Sequence, residues 1–148
     1  MGFIAGYANE GSPVDLVAQV RKNKTDLALI ADISSIAAEV WRTSPPPRFR
    51  GPNWRNEWAE ISGSKIGSTI ALTPSDVMSD TATDWDLDAL GSNFLWSAPA
   101  SAIGSIPAVN DGKGEWRRVE IKFTPAVGQP KSIFFWFGLY FSYSAVKS

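Results

Sequence analysis

Two runs near the end of the chain alternate with a period of two. In Trp116 to Thr124, Val119, Ile121 and Phe123 alternate with Arg118, Glu120 and Lys122. Successive side chains on a strand point to opposite faces, so this pattern predicts a half-buried β-strand. Val127-Gly128-Gln129-Pro130 then supplies a turn. The following run, Ser132 to Ser144, is apolar at both parities. Ile133, Phe135, Phe137, Leu139, Phe141 and Tyr143 fall on one side, and Phe134, Trp136 and Tyr140 on the other. A strand of that kind is covered on both faces or meets a partner. Left bare, it would be an aggregation hazard.

The rest of the chain reads as short strands broken by turns. Residues 1–13 are rich in Gly, Ala, Asn and Pro and predict an extended arm or a loosely held terminus. Val14 to Arg21 fits a strand, followed by a turn at Lys22-Asn23-Lys24-Thr25-Asp26. Leu27 to Trp41 suits helix or strand by spacing. The preferred reading is a turn at Ala31 to Ser34 and a strand from Ser35 to Arg42, stopped by Pro45-Pro46-Pro47. Residues 43–58 form a long loop. A strand fits Ser68 to Leu72, and Thr73-Pro74-Ser75-Asp76 starts a short helix, with Thr at the cap and Pro at the first position. Another short strand lies around Asn93 to Trp96, and residues 97–113 read as a loop. Many short strands with regular turns predict an all-β fold: a single antiparallel β-sandwich over 14–148, with long loops and an extended N-terminal arm.

Composition narrows the chemistry. The 148 residues include no Cys and no His. Disulfides, thiolate or imidazole metal sites, Cys nucleophiles and Ser-His-Asp triads therefore cannot be built. The expectation is a protein that is not an enzyme and carries no cofactor. A carboxylate hydrolase drawing on Asp84, Asp86, Glu115 and Glu120 is the residual enzymatic option, with no spacing to fix the pair. Net charge is −1, so no global field favours nucleic acid or an anionic membrane, and neither is expected as a partner. The opening residues lack the basic and apolar regions of a signal peptide.

Aromatics make up 12% of the chain, with seven Trp, and they cluster. In the loop at 43–58, Arg48, Phe49, Arg50, Trp54, Arg55 and Trp58 interleave cations with rings. That pattern suits docking on an acidic surface or stacking on sugars or bases. The competing reading is that the rings fold back as a lid while the arginines stay solvated. A second patch is acidic: Asp76, Asp80, Asp84, Asp86 and Asp88, with no Lys or Arg among them. Asp84-Trp85-Asp86-Leu87-Asp88 opens like a calcium loop, but Ala89 stands where Gly is needed and Leu95 where Glu is needed. Separated patches of opposite sign on a near-neutral chain favour self-assembly, hence a homo-oligomer. Interface candidates are the six loop residues with Phe134, Trp136 and Tyr140. Acidic-patch candidates are Asp80, Asp84, Asp86 and Asp88.

Three spaced patterns add a resemblance. Asp32-Ile33-Ser34-Ser35-Ile36 leads into alternation up to Trp41. Trp85, Asp88, Gly91, Asn93 and Phe94 form W-x-x-D-x-x-G-x-N-F. Val119, Glu120, Phe123, Pro125, Gly128 and Pro130 form V-E-x-x-F-x-P-x-x-G-x-P. Together the chain resembles small β-sandwich accessory proteins of tailed-phage virions, immunoglobulin-like or jelly-roll-like in fold. Trp116 stands near where that pattern often has Tyr, and the loop at 43–58 is not part of it. The resemblance implies a virion location, other virion proteins as partners and a structural role. Capsid decoration (cement) ranks first, ahead of a head–tail connector or a baseplate or fibre adaptor. A carbohydrate-binding module using Trp54 and Trp58 is the alternative from another class.

Overall fold

The computed structural model describes residues 2–61, 63–80, 92–107, 110 and 113–140. The described residues are all-β in character, with strands in two sheets. The strands are β1 (Gly2–Asn9), β2 (Val14–Ala18), β3 (Ile33–Thr43), β4 (Ser64–Leu72), β5 (Phe94–Ala98), β6 (Glu115–Pro125) and β7 (Lys131–Tyr140). The larger sheet has the order β1-β7-β6-β3-β4, and the smaller is β2-β5.

The hairpin of β6 and β7 and its neighbour β3 form the centre of the larger sheet. Val119 faces both Val40 and Phe135 in register, and Ile121 faces both Ala38 and Ile133. These side chains point toward the smaller sheet, where Leu16, Ala18, Phe94 and Trp96 complete the core. Phe94 and Phe123 meet edge to face, 5.4 Å between centroids at 78°, a favoured aromatic geometry.

The sheet is not antiparallel throughout, as the sequence patterns suggested. β1 runs parallel to β7, with Tyr7 opposite Gly138 and Asn9 opposite Tyr140. The opening residues, for which an extended arm or a loosely held terminus was the expectation, form a paired strand of the larger sheet. β7 comes last in the described chain and β1 first, so no tight turn dictates their relative direction. By pairing there, β1 covers the backbone edge of the most apolar strand.

Other boundaries moved for local reasons. β2 ends at Ala18 instead of Arg21, because Val20 bonds to a side chain in place of a strand. Its N–H donates to Asn93 Oδ1 at 2.6 Å, and its carbonyl accepts from Asn93 Nδ2 at 3.0 Å. The same Nδ2 donates to Ala28 O at 3.0 Å, and Asn93 is fully buried. One amide thus mimics a strand neighbour for two backbone segments. β4 begins at Ser64, earlier than Ser68, because it carries a bulge. Between Val40↔Ile66 and Ala38↔Ile70 the strand gains residues relative to β3. Gly67, at φ 65°, supplies the left-handed conformation that such a bulge favours.

The helical pieces are single turns: α1 (Trp54–Glu57), α2 (Pro74–Val77) and α3 (Ala100–Ile103). α2 starts where Thr73 and Pro74 predicted. α3 lies inside the stretch read as a loop, between Pro99 and Gly104, and it buries Ile103.

Candidate functional site

Strand alternation sorts β6 and β7 into two unlike faces. Glu115, Arg117, Val119, Ile121 and Phe123 point inward, and Trp116, Arg118 and Glu120 point outward. On β7, Phe135, Phe137 and Leu139 are buried in the core, whereas Phe134 and Trp136 are half-buried and Tyr140 is exposed on the outer face. The two-sided reading of this strand therefore separates core from outer face at the residues expected. Phe141 and Tyr143 lie outside the described residues.

The outer face is aromatic from its middle to one end. Across the middle, Trp41, Arg118 and Trp136 lie opposite one another on β3, β6 and β7. The Arg118 guanidinium sits 5.4 Å from the Trp41 ring centroid and 5.9 Å from that of Phe134. Cation–π attraction of this kind favours the arginine's place among the rings. The indole N–H groups of Trp41 and Trp116 and Nε of Arg118 are buried and find no acceptor among the described residues. Buried donors ordinarily have partners.

At the end of the face the rings close into a plate. Trp58 lies 5.6 Å from Trp116 and 5.2 Å from Tyr140, and Tyr7 lies 5.3 Å from Tyr140 and 5.9 Å from Trp116. Phe49 flanks Trp116 at 5.9 Å. Two glycines make room for the plate. A Cβ on Gly114 would sit 2.3 Å from the Trp58 ring, and one on Gly138 would sit 2.5 Å from Tyr7. Such distances exclude a side chain unless the rings move.

The loop from Ser44 folds back onto this end. Ser44 and Ile61 are tied by reciprocal bonds, and Ala59 N donates to Gly114 O at 3.0 Å. Trp58 and Trp116 are buried, at 8% and 2% exposure, while Tyr7, Tyr140 and Phe49 remain exposed at 57%, 45% and 40%. Arg48, Arg50 and Arg55 are exposed. Trp54 is half-buried, with the Arg50 and Arg55 guanidinium carbons 5.5 and 5.2 Å from its ring centroid. The lid reading thus describes Trp58, which has no free face for a sugar. Tyr7, Trp41, Trp116 and Arg118 belong to this surface and were not singled out from sequence. The usable signal was the pair of glycines, Gly114 and Gly138, set among aromatics.

The acidic patch is only partly described. Asp80 is exposed, and its Oδ1 accepts from Ile30 N at 2.8 Å. Asp84, Asp86 and Asp88 lie outside the described residues. Of the other carboxylates considered for hydrolysis, Glu115 points inward and Glu120 outward on β6, so these two do not converge.

Beneath the plate, on the inner face, lies a buried charge network. Glu115 accepts from Arg42 Nε and Nη2 at 3.1 and 2.8 Å, from Arg117 Nη1 at 2.7 Å and from Asn110 Nδ2 at 2.6 Å. Arg117, fully buried, also donates to the carbonyls of Ile103 at 2.9 Å and Ser105 at 3.2 Å. The buried Glu10 carboxylate accepts from Ile106 N. Burial by itself pushes the Glu115 carboxyl up. Hydrogen bonds from Arg42, Asn110 and Arg117, with the charge of Arg117, outweigh burial and hold the carboxyl below its usual 4.5.

That sign gives a pH prediction. With the folded value below the unfolded one, the unfolded chain binds the proton more readily. The contribution of Glu115 is then fully present above the unfolded value and is lost as pH falls through the folded value. Denaturant titrations of wild type and Glu115→Gln should differ most near neutral pH and converge in acid. A stability gap unchanged from neutral pH to pH ~3 would contradict this.

Compared with known protein families and with curated proteins, the chain matches none.

Proposed function

We propose that the protein is a non-enzymatic assembly module whose outer sheet face, centred on Tyr7, Tyr140, Phe49, Phe134 and Trp136, docks onto neighbouring protein subunits. One observation carries this reading. Three of the five exposed large hydrophobics among the described residues, Tyr7, Phe49 and Tyr140, gather at one end of a continuous aromatic face. Aromatics and Arg are enriched in interface cores, and contiguous exposed apolar patches mark interaction surfaces. The flanking Arg48, Arg50 and Arg55 supply a cationic rim for an acidic partner surface.

The resemblance to small tailed-phage accessory proteins supplies the setting. In that setting the two sheets form a sandwich of immunoglobulin-like or jelly-roll-like type, and the module decorates the capsid as a homo-oligomer in contact with the major capsid protein. A head–tail connector or a baseplate or fibre adaptor would use the same face. The exposed Tyr7 and Tyr140 rings also suit sugar stacking, which makes a carbohydrate-binding module the reading from another class.

Cosedimentation tests the assignment. The protein should pellet with purified tailed-phage heads, and Tyr7→Ser/Tyr140→Ser should reduce the bound fraction at least about tenfold, the scale of a small interface hot spot. Pelleting with tails alone would replace decoration with the connector or adaptor role. Pelleting with neither, alongside a glycan-array signal lost in the same variant, would replace assembly with sugar binding.

A further inference from the structure

At the opposite end of β6 and β7 from the aromatic plate lies a cleft of about 980 Å³. It opens between the tip of the β6–β7 hairpin and the segment that follows β2. Its apolar floor is formed by Val20, Ala28, Ile33, Phe123 and Ile133. Val20, Ala28 and Phe123 belong to the core, so the cleft reaches down to the edge of the core between the larger sheet and the segment after β2. Val127, 91% exposed at the hairpin tip, adds an apolar lip.

The rim is cationic. Arg21, Lys22 and Lys131 line the cleft against a single acid, Asp32, whose nearest cation is Lys22 at 3.9 Å. That pairing leaves Arg21 and Lys131 as the excess charge. Arg21 is set in place by Gln19 Oε1 at 3.0 Å. The wall behind it is held by an Asn-centred turn: Asn23 Oδ1 accepts from the N–H groups of Thr25 and Asp26 at 2.9 and 2.8 Å. Ala28 N donates to Val20 O at 2.9 Å, and the Asn93 amide ties both segments from below. The cleft is thus formed before any ligand arrives, as small-molecule sites usually are.

We infer that this cleft binds an anionic amphiphile, a single medium-length alkyl chain with a carboxylate or sulfate head. The chain lies along the cleft floor against Phe123 and Ile133, and the head meets Arg21 and Lys131. Two features favour this class over a peptide strand: the floor is made of apolar side chains that reach the core, and the excess charge on the rim is cationic. The inference is independent of the aromatic face.

Decanoate is the probe, read by amide chemical shifts on the full chain. Saturable shifts should appear at Val20, Ala28, Ile33 and Ile133, with a Kd below about 1 mM. Arg21→Glu/Lys131→Glu, both on the surface, should keep the wild-type melting temperature and weaken decanoate at least about tenfold. Uncharged decanol should bind wild type and this variant alike. Ala28→Leu, which fills the floor, should abolish both ligands. No saturable shift in the wild type would overturn the inference, as would shifts confined to Tyr7, Trp116 and Tyr140. Equal decanoate affinity in the charge-reversed variant would overturn the role of the rim.

Discussion

Arg117→Ala is expected to lower the unfolding free energy by about 3–5 kcal/mol, the cost of breaking a buried ion pair from one side. The side chain is fully buried and answers three needs at once. It neutralises Glu115, and it satisfies the carbonyls of Ile103 and Ser105 that follow from α3. Alanine leaves Arg42 and Asn110 to hold the carboxylate from its open side. Denaturant unfolding measures the loss. A double-mutant cycle then separates pairing from packing. Glu115→Ala/Arg117→Ala should lose less than the sum of the two single variants, because neither charge is left alone. Strict additivity would show that the pair is not coupled. For a domain whose total stability is of the order of 5–15 kcal/mol, a loss of this size leaves little margin.

Asn93→Leu should cost about 2 kcal/mol or more, since it removes the partner of two backbone groups and each buried group left unpaired is worth ~1–3 kcal/mol. The amide pairs Val20 N–H and Ala28 O, and it shares Val20 O with the N–H of Ala28. Asn93→Asp is the more discriminating change. It keeps the shape but sets a carboxylate against two carbonyl oxygens. Its folded state is therefore favoured by protonation, and its stability relative to wild type should rise as pH falls. The same stability deficit at neutral and acidic pH would contradict the assigned donor role.

The parts of the fold that were legible in sequence are those governed by local periodicity. Val119, Ile121 and Phe123 fixed the inner face of β6, and the two parities of β7 separated Phe135 and Phe137 from Phe134 and Trp136. Pro74 after Thr73 placed α2. What local pattern could not carry was long-range pairing. The parallel union of β1 with β7 joins the two ends of the described chain, and nothing near Gly2 announces it. The end of β2 depends on Asn93, a residue 73 positions away from Val20. The site divided along the same line. Phe134, Trp136 and Tyr140 were visible as an off-core stripe. Tyr7 was hidden in a segment read as an arm, and Trp58 was read as exposed or folded back with no means to choose. Arg117 was not set apart in sequence from its neighbour Arg118. Only the inward parity at Glu115, where alternation brings two charges under the sheet, separates them.

Assembly through the outer aromatic face is tested most directly by the solution mass of the purified protein, measured by light scattering across concentration. Wild type should exceed the monomer mass, and Tyr7→Ser/Tyr140→Ser/Trp136→Ser should return to the monomer with its fold intact by circular dichroism. A wild-type protein that stays monomeric at every concentration and binds no virion component would contradict it.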